Sequence, residues 1–136
     1  MNTRKSILLV EDDKVDAMTV KRALREINVT NQLTTVNDGE QALEYLRNSD
    51  NEQPAIILLD LNMPKMNGIE LLKNMKADPK LRSIPVVVLT TSRADQDRLE
   101  SFSLSVAGYM LKPVDYIQFV EVMRTINIYW TLSELP

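Results

Sequence analysis

The 136-residue chain contains neither cysteine nor histidine. Without cysteine there is no disulfide, thiolate nucleophile or thiolate metal ligand, and without histidine the commonest general base and metal ligand are missing. No Ser-His-Asp or Cys-His catalytic arrangement can be assembled from it. Glycine is scarce, with three residues, and no Gly/Ser linker, repeat or low-complexity segment marks an internal domain boundary. Charge of one sign is not concentrated: the net charge is -3 with no basic block, which argues against electrostatically driven binding to nucleic acid or an anionic membrane. No apolar run approaches the roughly 18 residues of a membrane span, and residues 1–5 lead into a short strand-like run rather than a signal-peptide core. The cytoplasm is the expected compartment.

Hydrophobic residues at 44% and charged residues at 26% are ordinary for a globular domain. A chain of this length buries roughly two-thirds of its unfolded surface, so one core is expected. Short apolar runs, partly β-branched, occur at 7–10, 55–59, 86–89 and 106–111, with a weaker one at 33–36. They read as five strands. Between them the apolar spacing is helical: Val15, Met18, Ala23, Leu24 and Ile27; then Ala42, Leu43 and Leu46; then Ile69, Leu72 and Met75. A more polar fourth helix is expected over 93–104 and a fifth over 116–129. Continuous apolar strands alternating with amphipathic helices predict an α/β fold, a parallel sheet covered on both faces and joined by right-handed crossovers.

Polar residues close four of the strands: Glu11-Asp12-Asp13, Asp60, Thr90-Thr91-Ser92 and Lys112-Pro113. Open parallel sheets bind ligands outside the carboxyl ends of their strands, which is where all four clusters lie. Unit charges about 4 Å apart repel by roughly 4 kcal/mol at an effective dielectric near 20, so gathered carboxylates need a counter-charge. With only oxygen ligands on offer, a hard cation that keeps several waters matches Mg²⁺. Asp12 and Asp60 are the expected direct ligands, with Glu11 bound directly or through water and the backbone carbonyl of Asn62 completing the set. The acidic triplet taken alone fits equally the N-terminal cap of the first helix. Asp60 and Lys112 at neighbouring strand ends favour the metal reading, with Asp13 as the cap and Asp16 a solvated helix residue.

A carboxylate can attack phosphorus to give an aspartyl phosphate, given positioning and charge compensation of the transferring group. Asp60 is the candidate nucleophile. Lys112 would pair with one phosphoryl oxygen and Thr90 would donate its hydroxyl to another. Singly, Lys112 is better read as a solvated strand-end lysine and the Thr90-Thr91-Ser92 run as a helix cap; their coincidence with Asp60 and the acidic triplet reverses that for Lys112 and Thr90, not for Ser92. A phosphohistidine donor would have to sit on another molecule. A cis Lys112–Pro113 bond would aim the lysine inward, although only about 5% of X-Pro bonds are cis.

The runs Ile7-Leu8-Leu9-Val10-Glu11-Asp12-Asp13, Leu58-Leu59-Asp60-Leu61-Asn62-Met63-Pro64, Asn67-Gly68, Val88-Leu89-Thr90 and Tyr109 through Pro113 resemble the receiver domain of two-component response regulators, across nearly the whole chain and in order. The resemblance implies a flavodoxin-like (βα)5 doubly wound sheet with strand order 2-1-3-4-5, a Mg²⁺ requirement, and phosphoryl transfer to Asp60 from a sensor histidine kinase or a histidine phosphotransfer protein. It implies self-catalysed phosphotransfer and dephosphorylation rather than turnover of a substrate. It also implies that Thr90 and Tyr109 form a switch pair, the hydroxyl moving toward the phosphate and the ring turning inward behind it.

Val114-Asp115-Tyr116-Ile117-Gln118-Phe119 and the tail Tyr129-Trp130-Thr131-Leu132 resemble the single-domain regulators that partner bacterial phytochromes, whose members often dimerise through helix four, strand five and helix five. The receiver domain is accordingly expected over 1–128, with a C-terminal extension over 129–136. Trp130, Leu132 and Leu135 would add to a homodimer contact or pack back on their own domain. Ser105-Val106 stands where many members have Gly-Ala, which removes a residue suited to positive φ at a helix end. Two other classes remain: an aspartyl phosphohydrolase, which usually carries a second acid where this chain has Asn62, and a degenerate receiver, against which the set of Glu11, Asp12, Asp60, Thr90 and Lys112 speaks. No DNA-binding or catalytic output segment follows residue 130, so action through a separate protein is expected.

Overall fold

The computed structural model describes residues 6–61, 68–90, 106–111 and 115–133, with side chains except those of 109, 111 and 129–133. Five strands, β1 (Ile7–Val10), β2 (Leu33–Val36), β3 (Ile56–Asp60), β4 (Val86–Thr90) and β5 (Gly108–Leu111), form one parallel sheet in the order β2-β1-β3-β4-β5. Helices α1 (Lys14–Glu26), α2 (Gly39–Arg47) and α3 (Gly68–Ala77) and a C-terminal helix (Tyr116–Ser133) cover it. The helix expected over 93–104 and the Lys112–Pro113 bond lie outside the described residues.

Strand periodicity divides the core into two layers. Leu8, Val10, Ile57, Leu59, Val86 and Val88 join α2 and α3 on one face. Their neighbours Ile7, Leu9, Ile56, Leu58, Val87 and Leu89 join α1 and the C-terminal helix on the other. This two-sided burial is why β1, β3 and β4 read as unbroken apolar runs, whereas β2, at the sheet edge, is half-buried and carries Thr34 and Thr35.

Local signals set the helix ends. Asp13 caps α1, accepting from the N–H groups of Val15 at 2.8 Å and Asp16 at 3.0 Å. Asp38 caps α2 through the Gln41 N–H, while the Gln41 side chain accepts from the Asn37 N–H. α1 stops where Asn28 takes a left-handed φ of 63°. The Asn28 N–H then reaches the Arg25 carbonyl and the Val29 N–H the Leu24 carbonyl, the Schellman pairing.

Two expectations change. Val15 and Met18, expected on the buried face of α1, are 70% and 68% exposed, and Val20 fills the core instead. The apolar residues of α1 span more of its circumference than the sheet and the C-terminal helix can cover. The last helix also continues past residue 129 to Ser133, since no helix-breaking residue intervenes.

Candidate functional site

Register brings the polar strand ends to one level. Val10 pairs with Leu59, so Glu11 and Asp60 follow side by side on adjacent strands. Asp60 in turn pairs with Leu89, and Thr90, one step on, pairs with Leu111 of β5. The carboxyl end of the sheet therefore presents Glu11, Asp12, Asp60 and Thr90 along three neighbouring strands. Lys112 and the Asn62 carbonyl lie outside the described residues, as does the Tyr109 side chain.

Glu11, Asp60 and Thr90 are buried, while Asp12 is exposed. Carboxylate oxygens of Glu11, Asp12 and Asp60 all lie within 4.8 Å of one another. The Glu11 carboxylate also accepts from the Asp13 N–H at 3.3 Å, which ties it to the first turn of α1. Three acidic oxygens so gathered, two on buried groups and one open to water, suit a hard divalent cation with remaining positions filled by water or a ligand oxygen. A compact acidic site beside a buried Asp60 can bind such an ion and compensate charge arriving at Asp60.

Gly68 shapes the other wall. Its N–H meets the Leu61 carbonyl at 3.3 Å where the chain returns from β3 into α3. A Cβ there would stand 2.6 Å from the Leu61 Cδ2 and 2.9 Å from the Leu61 Cα, so only glycine permits this close return next to Asp60. The sequence motif contains Gly68, but the tight approach that requires it emerges only in three dimensions.

The response regulator receiver domain family matches residues 7–124. The chain belongs to that family. Receivers are the signal-accepting domains of two-component systems, so this one is a signalling protein rather than a classical enzyme. It is 39% identical over 127 residues to the probable methanogenesis regulatory protein FilR2 of Methanothrix harundinacea, covering 91% of this chain and 82% of that protein. It is 37% identical over 133 residues to response regulator Rcp1 of Synechocystis sp., covering 95% and 90%. A crystal structure of the phosphorylated cyanobacterial phytochrome response regulator RcpA matches with a TM-score of 0.85 at 38% identity over 98% of both chains. The Mn²⁺-bound form of Rcp1 matches with a TM-score of 0.83 at 36% identity over 97% of both. The flavodoxin-like fold and the receiver family are thus established for this chain, with an acidic pocket suited to a divalent metal. Among the described residues no helix is long and apolar enough to cross a membrane.

Proposed function

We propose that this receiver accepts a phosphoryl group onto Asp60 from a phosphohistidine on a separate protein. The observation that carries the reading is the gathering of the Glu11, Asp12 and Asp60 carboxylates within 4.8 Å at the carboxyl ends of adjacent strands. An Asp60 carboxylate oxygen attacks phosphorus and forms the O–P bond as the P–N bond to the donor imidazole breaks, its electron pair returning to the ring nitrogen. Glu11 and Asp12, with Asp60 and the Asn62 carbonyl, are the residues to hold Mg²⁺. That ion supplies charge neutralisation of the phosphoryl oxygens when bound. Lys112 pairs with a further phosphoryl oxygen and the Thr90 hydroxyl donates to another.

The added phosphoryl group brings about 1.5 to 2 negative charges, enough to bias loop arrangements a few kcal/mol apart. Thr90 and Tyr109 read that change, and partner affinity follows. The phosphorylated phytochrome regulator RcpA, similar over 98% of both chains, supports a phytochrome-type sensor kinase as donor, with a histidine phosphotransfer protein the other candidate of the same chemistry. The receiver proper occupies 1–128 in the cytoplasm, and the extension 129–136 contributes to a homodimer with helix four, strand five and helix five. Exposed Ile117 and Ile128, eleven positions apart on the C-terminal helix, supply apolar area on a common face for that contact.

Incubation with acetyl phosphate and Mg²⁺ should put acid-labile label on Asp60, and beryllofluoride with Mg²⁺ should change the Tyr109 environment. Asp60→Asn should abolish both. Label or a Tyr109 response that persists in that variant overturns the assignment, and rapid multiple turnover would indicate a phosphohydrolase instead.

A further inference from the structure

Glu11 reaches the acidic site with its backbone tied to the edge of the sheet. Its N–H donates to the Val36 carbonyl at 3.0 Å, one step beyond the Val10 and Val36 pairing that closes β1 and β2. Among the described residues no strand lies beyond β2. The Val36 carbonyl and the Asn37 N–H belong to one planar trans peptide and point in opposite directions. With the carbonyl turned toward β1, the N–H faces the open edge, where no ladder partner can receive it.

Gln41 of α2 takes the place of that partner. Its Oε1 accepts from the Asn37 N–H at 2.9 Å. In an ordinary capping box the side chain at the third helical position returns to the N–H of the cap residue itself. Asp38 is the cap of α2 and accepts from the Gln41 N–H at 2.9 Å, yet Gln41 reaches one residue beyond it. The peptide that receives Glu11 is thereby held at both edges, by β1 on one side and α2 on the other. Turning this peptide out of line would stretch the Glu11 bond and the Gln41 bond together. Glu11 is buried, so its side chain has little room to offset a backbone shift, and its carboxylate must stay within 4.8 Å of those of Asp12 and Asp60 to share an ion with them.

We propose that Gln41 is a positioning residue for the metal site, fixing the Val36–Asn37 peptide that holds the backbone of Glu11. The inference rests on the assignment of Glu11 to the metal. Groups that orient a metal ligand without touching the ion set its affinity, and here the orienting group is an exposed glutamine on a helix, acting through one peptide unit. The edge strand, which lacks a neighbour to steady it, is steadied at the level of the acidic site by the helix that follows it.

The test measures Mg²⁺ affinity by calorimetric titration, hydrogen exchange of the Glu11 amide in EDTA, and thermal melting, all on the full chain. Gln41→Met keeps the length and helix preference of the side chain and removes its acceptor. It should weaken Mg²⁺ binding about threefold and speed Glu11 amide exchange about fivefold in the metal-free protein, in line with the net strength of one hydrogen bond. Gln41→Glu, whose carboxylate accepts as the amide oxygen does, should restore both. Its affinity is compared again at 1 M salt, where the screening length is about 3 Å and the added charge contributes little. Asn48→Ala serves as the control: it removes a bond of the same kind, to the Asp50 N–H at 2.9 Å in the turn after α2, and should leave both readouts unmoved. Unchanged Mg²⁺ affinity in folded Gln41→Met overturns the proposal, as does a loss that Gln41→Glu fails to restore or that Asn48→Ala reproduces. If Gln41→Met fails to fold, Gln41→Ala carries the same test. A wild-type protein that binds no Mg²⁺ overturns both this and the metal reading, whereas a wild type that binds it and Gln41 variants that bind it equally well overturn this one alone.

Discussion

The strands that build the stable end of this sheet also build its reactive end, and the two ends differ in how their polar groups are satisfied. Where the strands begin, backbone answers backbone: the Ile7 N–H meets the Gln32 carbonyl at 2.8 Å, Ala55 meets Ser6 at 2.9 Å, Ile57 meets Pro85 at 2.9 Å and Ala107 meets Val86 at 2.8 Å. The side chains there, Ile7, Ile56 and Val86, are apolar and buried. Where β1, β3 and β4 finish, the next buried side chains are Glu11, Asp60 and Thr90. Carboxylates held within 4.8 Å repel by about 3 kcal/mol per pair at an effective dielectric near 20. Two layers of aliphatic packing sustain that repulsion, and a divalent cation bound among the carboxylates would relieve it. The contrast teaches that stability and chemistry are divided along each strand rather than between separate parts of the chain.

Asp60→Asn breaks the contrast most completely. Labelling should fall to nothing, yet the metal-free protein should become more stable by about 1 kcal/mol, because one member of the like-charged cluster is removed. Melting in EDTA measures the second effect. In wild type, Mg²⁺ at a hundred times its dissociation constant should add about 2.7 kcal/mol, an increment that should largely vanish in the variant. A variant destabilised in EDTA would show that Asp60 acts as structural support and not as a repelled charge.

Leu58→Ala tests the opposite end of the bargain. Leu58 is 2% exposed in the central strand, two residues before Asp60. Its truncation should cost about 3 kcal/mol through lost transfer energy and a residual cavity. Mg²⁺ affinity at temperatures where the protein stays folded should be unchanged. A loss of affinity comparable to the loss of stability would merge the two ends into one unit.

How much of this was legible in the residues follows from the same division. The strands of the core announced themselves because burial on both faces leaves no polar position in β1, β3 or β4 before the last residue of β3 and β4. Asp60 stood out for the same reason, as a charge closing an aliphatic run. The strand order came through the family resemblance, since nothing in strand composition specifies which strands are neighbours. The α1 face was misjudged at Val15 and Met18 because periodicity identifies apolar residues without saying how much of a helix the sheet can cover. Gly68 was visible as a motif letter, but its 2.6 Å constraint against Leu61 depends on where the chain returns. The hydrogen bond from the Tyr116 hydroxyl to Glu26 joins residues ninety positions apart, a contact that no local pattern encodes. The difference between buried Glu11 and exposed Asp12 likewise depends on what lies above the sheet.

Gly68→Ala sharpens the border between the ends. The added methyl cannot be accommodated without moving the Leu61 backbone, so a loss of about 1 to 3 kcal/mol is expected. Because Leu61 joins Asp60 to Asn62, Mg²⁺ affinity should fall as well, unlike in Leu58→Ala. Parallel melting and Mg²⁺ titration separate the outcomes, and intact affinity would release the Asn62 carbonyl from the proposed ligand set.

Tyr116, whose hydroxyl donates to Glu26 at 3.1 Å and whose ring centroid lies 4.5 Å from the Arg22 guanidinium, gives a smaller effect with a defined pH dependence. Desolvation, then the hydrogen bond to Glu26 and the Glu26 charge, raise the phenol above its ordinary 10.0, while Arg22 pulls it down. A group harder to deprotonate in the folded state contributes its full stability below the unfolded value and loses it as pH climbs through the folded one. The stability difference between wild type and Tyr116→Phe should therefore be constant below pH 10 and shrink above it. A difference that grows with alkalinity would reverse the sign of the linkage and mean that the Arg22 contact outweighs Glu26.

The smallest effect should come from Asn28, at the stable end and far in sequence from every acidic-site residue. Its φ of 63° lies where a side chain is disfavoured and glycine is not. Asparagine tolerates this region better than most residues, so Asn28→Gly should gain only about 0.5 kcal/mol, the strain relieved being partly offset by the greater entropy of unfolded glycine. Asn28→Ala should lose about 1 kcal/mol, since alanine meets the same backbone penalty without the local hydrogen bonding that eases it. Both variants keep the backbone N–H that donates to Arg25 at 3.0 Å, so any change reports backbone conformation and not a lost bond. Labelling of Asp60 should be identical in all three proteins. If it follows stability instead, the α1 terminus reaches Asp60 through the helix, and the two ends of the sheet are coupled by α1.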